Sequence, residues 1–230
     1  MLFGIHWNLA SQWSFALSIT PILLIGMKVT VEATVFGFLI AMSLGLVFAL
    51  LRSMPLRAVS WPTAIFVEFV RDTPLLIQLY FLYYVLPNYG ISLPALETGV
   101  ITLGIQYSAY TSEVYRAGLE AVPFGQREAA RALNLGSFRT YRDVIIPQAI
   151  PRIVPALANY LVSIIKDTPI LSAITVLEML GVGKIIGDRT FRYLIPLTLV
   201  GILFLILTVI AAWGVRFVER RMPRGGVALK

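Results

Sequence analysis

Residues 194–213 read LIPLTLVGILFLILTVIAAW. This stretch carries no charge, and its only polar side chains are two threonines, Thr198 and Thr208. At about 1.5 Å per residue, a helix of this length covers the roughly 30 Å hydrocarbon core of a bilayer. The whole chain agrees with that reading. Its 230 residues are 58% hydrophobic and 13% charged, with a mean hydropathy of +0.82. A soluble domain is about 45–50% apolar and about 25% charged. Disorder, a collagen-like repeat and a disulfide scaffold are excluded, the last by the absence of cysteine. The excess apolar surface needs lipid to cover it.

Four further stretches are apolar enough to span. They lie within residues 18–51, then at about 60–86, 93–117 and 153–176. The segment 194–213 falls in a fifth, about 193–216. The expected fold is an all-α integral membrane protein with five transmembrane helices in one domain, 1–230. The first stretch exceeds one straight span, so a tilt or a surface-lying part is expected. The first twelve residues carry no Lys or Arg, so no signal-peptide pattern is expected.

The formal charge of +7 has a topological reading. Arg52 and Arg57 follow the first stretch. Arg116, Arg127, Arg131, Arg139, Arg142 and Arg152 lie around the loop after the third. Arg216, Arg220, Arg221, Arg224 and Lys230 end the chain. These are thirteen of the nineteen basic residues. By the positive-inside rule they face the cytoplasm, placing the N-terminus outside. The charge then requires no nucleic acid. Trp13, Trp61 and Trp213 lie near span ends, as interfacial anchors or as ordinary lipid-facing bulk.

The loop 118–152, GLEAVPFGQREAARALNLGSFRTYRDVIIPQAIPR, is a structured insert. Pro123 and Gly125 are expected to break the third span. Gln126 to Leu133 has helical spacing and good helix formers, with Ala129, Ala130 and Leu133 on an apolar face. Asn134 suits the left-handed residue that ends such a helix. Ser137 can cap a following helix that runs to Ile146, before Pro147. The short helix either docks in a groove on a partner or lies on lipid headgroups.

A second pattern is a near-repeat: VRDTPLL at 70–76 and IKDTPIL at 165–171. Each sets a cation, Asp, Thr and Pro inside an apolar stretch. Charges within membranes are expensive and face a pathway or one another. A proline frees a carbonyl one turn back, and interrupted helices in corresponding positions point to a substrate site. Two readings fit. In one, Arg71, Asp72, Thr73, Pro74, Lys166, Asp167, Thr168 and Pro169 line a path. In the other, Arg71–Asp72 and Lys166–Asp167 belong to neutralising networks that fasten helices together. Glu68 can pair with Arg71, and Lys28 with Glu32. Gln78, Gln106, Tyr107, Ser108, Thr111 and Glu113 form a polar stripe. They serve as solute contacts or as interhelical hydrogen bonds. Gly37, Ala41 and Gly45 suit close helix packing. The segment 177–192 reads as an outer surface element, either a lid or a connector. His6 is the only histidine, so no metal site is expected.

The stretch EAARALNLGSFRTYRDVIIPQ resembles the EAA loop of ABC importer permeases. The matching positions are Glu128, Ala129, Ala130, then Val144, Ile146 and Pro147. Asn134 stands where the family has Gly. Four segments resemble the polar amino acid branch: TVEATVFGFLIAMSLGLVFALLR, EFVRDTPLLIQLYFLYY, YTSEVYRAGLEAVPFGQREAA and IPQAIPRIVPALANYLVSIIKDTPILS. The resemblance implies a type I importer subunit of the bacterial inner membrane. Its implied partners are two cytoplasmic ABC ATPases, a second permease chain (paralogue or identical copy) and an extracytoplasmic binding protein. It implies that Gly125, Gln126, Glu128, Ala129, Ala130, Leu133, Asn134 and Pro147 couple to the ATPase, and that Glu113 with Arg116 forms an inner brace. The implied solute is a polar amino acid or a similar zwitterion, including compatible solutes such as ectoine. No G-x-x-x-x-G-K-[ST] loop is present, so ATP and Mg belong to the partner and no catalytic residue is expected. A secondary transporter or channel subunit is the alternative, but it leaves the EAA loop without a role.

Overall fold

The computed structural model describes residues 9–222; His6, Arg224 and Lys230 lie outside the described residues. Among the described residues every regular element is helical. Helix α1 spans Leu9–Arg52, α2 Arg57–Asp72, α3 Leu75–Tyr80, α4 Ala95–Glu120 and α5 Phe124–Ala132. A short α6, Ser137–Arg139, leads through a π-turn at Thr140–Ile145 into α7, Ile146–Asp167. Then come α8, Met179–Thr190, and α9, Leu194–Arg221.

Three stretches are long and apolar enough to cross a membrane by length and composition: Ser11–Arg52, Ser137–Ile174 and Leu194–Arg221. They correspond to the first, fourth and fifth expected spans. The first is one helix, continuous through Pro21, with no surface-lying break. The second expected span is divided at Thr73–Pro74 into α2 and α3. The third corresponds to α4, whose 26 residues give about 39 Å of helix. Its composition is less apolar because its surroundings are protein. Thr98, Thr102, Gln106, Tyr107, Ser108, Thr111 and Ser112 are all buried on it.

α4 occupies the centre, touching α1, α2, α3 and α7. Its contact with α1 depends on the small residues of both helices. A Cβ at Gly45 would lie 2.0 Å from Thr111 Oγ1, and one at Gly104 would lie 2.4 Å from Ile40 Cγ2. This approach lets the Thr111 hydroxyl donate to the Ala41 carbonyl at 2.7 Å. Other buried hydroxyls turn back onto their own helix, as Thr102 does to Thr98 at 2.6 Å. The polar face of α4 is therefore satisfied without water. Leu79, Leu103, Ile164, Leu171 and Ile174 pack with Tyr107 in the main core. Apolar side chains such as Leu17, Phe36, Leu205 and Ile210 are exposed on α1 and α9. In a bilayer they meet lipid.

The segment 177–192 is more than a bare connector. It forms α8, packed on both α1 and α9. Gly181, Gly183 and Gly187 are buried: Gly183 lies against Leu23 of α1 and Val200 of α9, Gly187 against Tyr193 at the start of α9, and Gly181 against Ser172 and Val176. Glu178 caps its start, accepting from the backbone N–H groups of Leu180 (2.8 Å) and Gly181 (2.6 Å). Glu178 is fully buried, and these two donors replace its lost water.

Candidate functional site

The two DTP copies solve the same backbone problem differently. Pro74 has no N–H, so the Val70 carbonyl loses its helical donor, and Thr73 is forced out of helical geometry (φ −92°, ψ 130°). The Gln78 side-chain amide, one turn into α3, reaches back to Val70 O at 2.8 Å and Thr73 O at 3.0 Å. It also donates to Gln106 Oε1 on α4 at 2.5 Å. Pro169 likewise frees the carbonyl of Ile165, and the Thr168 hydroxyl donates to it at 2.8 Å. Here the chain does not extend; it tightens into a 3-10 helix over Thr168–Ile174.

Each motif contributes one charged residue to contacts between helices, and the adjacent charge takes no part. Asp72 and Lys166 are both exposed, and neither has a hydrogen bond or ion pair among the described residues. Arg71 turns instead to Glu68 at 3.2 Å and Glu113 at 3.9 Å. Asp167 accepts from the Tyr107 hydroxyl at 2.6 Å. Neighbouring residues on a helix diverge by about 100°, and here Asp72 and Lys166 point away from the partners that Arg71 and Asp167 find on α2 and α4.

Glu113 is the centre of an ion network. It pairs with Arg116 at 2.9 Å and with Arg52 at the end of α1, besides Arg71 at the end of α2. Arg116 also reaches Glu120 at 2.7 Å. One carboxylate therefore joins α1, α2 and α4. Lys28 and Glu32 pair along α1 at 3.6 Å.

Beside the network lies a group of tyrosines. The Arg71 guanidinium is 5.8 Å from the Tyr110 ring centroid. Tyr110 stacks on Tyr160 at 5.8 Å with 25° between planes, and Tyr107 meets Tyr160 edge-on at 5.8 Å. The exposed polar residues Glu68, Asp72, Asn159 and Lys166 lie on α2 and α7. Hydrocarbon does not accommodate such groups, so these surfaces face water or another protein chain. Tyr160 and its stacking partner carry no polar-pattern signal beyond a tyrosine inside an apolar helix, and the sequence reading passed over it.

The 118–152 loop projects α5 away from the bundle. Asn134 takes the left-handed conformation (φ 55°). Leu135 N–H donates to Ala130 O at 3.0 Å and Asn134 N–H to Arg131 O at 2.9 Å, so an Asn closes the turn where Gly usually serves. Ala130 is buried and anchors α5 inward. Glu128, Ala129 and Leu133 are exposed, Leu133 at 74%, as are Phe124 and Phe138. Glu128 has no intrachain hydrogen bond or ion pair among the described residues.

Four local expectations change. α5 begins at Phe124, so Gly125 lies within it rather than breaking α4. Ser137 is the first helical residue, and Gly136 occupies the cap position. Pro147 does not end the helix. The π-turn ahead of it sends the Ile146 N–H to Tyr141 O, and Pro147 enters the first turn of α7, where a missing N–H is tolerated. The apolar face divides, with Ala130 inward and Ala129 and Leu133 outward.

Side chains to which the sequence assigned no fastening role hold the loop. Arg127 donates to Leu119 O at 3.3 Å and Arg152 to Ala121 O, both at the end of α4. Gln148 bonds Gln126 at 3.1 Å. The Arg142 side chain bonds Asp143 at 2.6 Å, and that hydrogen bond holds the Asp143 carboxyl below its ordinary range.

Residues 37–224 match the family described as binding-protein-dependent transport system inner membrane component. The chain belongs to that family. It is 56% identical over 231 residues to a probable amino-acid ABC transporter permease protein, y4tG of Sinorhizobium fredii, covering both chains fully. It is 32% identical to the L-cystine transport system permease protein TcyB of Bacillus subtilis, over 96% of this chain and 93% of the relative. A crystal structure of an amino acid ABC transporter with histidines superposes with a TM-score of 0.85 and 34% identity, covering 89% of this chain and 96% of that one. An inward-facing MetNI methionine transporter shares the fold, with a TM-score of 0.71 and 20% identity. The chain is a permease subunit of the amino-acid ABC transporter kind, an inner membrane component of a binding-protein-dependent transport system.

Proposed function

We propose that this chain is the permease subunit of an ATP-driven importer for a polar amino acid or a similar zwitterion. Two copies, or this chain and a paralogue, enclose the path. Two ATPases dock below, and the binding protein delivers solute from outside. The N-terminus lies outside and the C-terminus in the cytoplasm, with five spans formed by α1, α2–α3, α4, α7 and α9. The observation that carries the coupling role is α5. It is a short helix fastened at both ends, with Leu133 and Phe124 exposed and the Glu128 carboxylate unpaired among the described residues. An apolar face with one charge suits a groove on a partner. The relatives' names support the solute class.

The test is uptake by proteoliposomes holding the permease, its ATPase and its binding protein. ATP-dependent uptake of an amino acid is expected. Uptake that persists without the ATPase would favour a secondary transporter and end this reading.

A further inference from the structure

We infer that Arg71 reads the carboxylate of the transported solute through the Nε edge of its guanidinium. This rests on the importer reading above. Both ion pairs of Arg71, to Glu68 and Glu113, run through Nη1. Its Nε is buried and has no hydrogen-bond partner, the one such side-chain atom among the described residues. A buried donor without an acceptor is rare in folded proteins and calls for a ligand or another explanation. Guanidinium carries five donors in a rigid fork, and its Nε–Nη2 edge matches the two oxygens of a carboxylate.

The surroundings keep that edge in place. Glu68 and Glu113 hold Nη1 from α2 and α4, so the fork cannot swing freely. The Tyr110 ring lies against the guanidinium, and Tyr160 from α7 stacks behind it. The edge thus sits where α2, α4 and α7 converge. Asp72, next in sequence, is exposed and makes no claim on the cation. The two glutamates therefore act as positioning residues, and Arg71 contacts the solute.

The experiment uses the assembled permease–ATPase complex without its binding protein, so that selectivity outside the membrane does not enter. Equilibrium dialysis measures L-arginine, L-glutamine and L-cystine against their decarboxylated partners agmatine, 4-aminobutanamide and cystamine. At least one amino acid should bind, and its amine should bind roughly tenfold or more weakly, the scale of one charge-assisted hydrogen bond. Arg71→Gln should abolish that discrimination, and Arg71→Lys should restore part of it. Glu68→Gln removes one Nη1 partner while Glu113 still holds the group, so discrimination should fall less than in Arg71→Gln. If Arg71 only braces helices, the Arg71→Gln and Glu68→Gln complexes will discriminate alike. That result overturns the inference, as does a wild-type complex that binds no amino acid or binds the amine equally. A carboxylate side chain of the second permease chain on the Nε edge would give the same negative result. Uptake by the complete system is measured separately. Uptake without discrimination at Arg71 removes this inference alone, and no ATP-dependent uptake removes the importer reading with it.

Discussion

The Gln78 side-chain amide donates to the Val70 carbonyl at 2.8 Å, replacing the donor that Pro74 lacks. The break between α2 and α3 is thus capped from within and tied to α4 through Gln106. A proline in the middle of a span is tolerated when a side chain takes over the freed backbone acceptor.

Gln78→Leu should therefore destabilise the protein beyond the loss of one contact. It leaves the Val70 carbonyl without its donor and Gln106 Oε1 without its partner. A buried acceptor left unmade costs about 1–3 kcal/mol. Thermal unfolding in detergent should show a lowered Tm, and hydrogen exchange should rise at 70–78. An unchanged Tm would mean that water serves these carbonyls equally well.

Packing of α1 on α4 gives a second expectation. Gly45→Ala places a methyl 2.0 Å from Thr111 Oγ1 and 2.9 Å from the Ser108 carbonyl. The hydroxyl can rotate, but the backbone cannot, so the helices must separate. A loss of about 1–3 kcal/mol is the scale for such overpacking. Gly201→Ala on α9 meets nothing within 4 Å and should not destabilise, alanine being favoured over glycine inside a helix by up to about 1 kcal/mol. Comparing the two variants in one melting series separates a steric cause from any general effect of alanine.

These cases show which features were legible in sequence. The spacing of Gly37, Ala41 and Gly45 announced a close helix contact, and the partner turned out to be α4. Asn134 at the family's Gly position announced a left-handed turn. The apolar lengths found α1, α7 and α9. Partner choice was not legible. Arg71 and Asp72 are neighbours in sequence, yet the geometry of a helix separates them, and Glu113 is reached only once α1, α2 and α4 are packed. Pro147 also misled, because a π-turn changes which carbonyl a proline would strand, and no composition signal marks a π-turn. Ala130 and Ala129 are alike as residues; only the tertiary fold decides which is buried.

Glu113 makes a third case. Removing its charge with Glu113→Gln strands Arg52, while Arg71 keeps Glu68 and Arg116 keeps Glu120, and the carboxylate that joined α1, α2 and α4 is gone. Breaking a buried pair one-sidedly costs about 3–5 kcal/mol, but Glu113 is partly exposed, so about 1–3 kcal/mol is expected. A double-mutant cycle with Arg52→Gln should show coupling, since the second change removes one stranded cation. Additive effects in that cycle would place the two groups in separate roles.

The loop helix separates two kinds of failure. Leu133→Asp alters an exposed side chain at the end of α5, where the chain makes few contacts of its own. The permease should fold and melt as before, because surface changes are usually within about 0.5 kcal/mol. Retention of the ATPase during purification should fall sharply, because an apolar contact in a groove is replaced by a charge. Glu128→Lys should act in the same direction through its reversed sign. Ala130→Asp is different in kind. Ala130 is 2% exposed, so a carboxylate there is buried against the π-turn with no donor in place. That variant should lose loop structure first and the ATPase second, visible as proteolysis near 124–137 before any transport assay. If Leu133→Asp retains its ATPase and transports normally, the exposed face of α5 is not the docking surface. The helix then lies on lipid headgroups, as the other reading of its pattern holds.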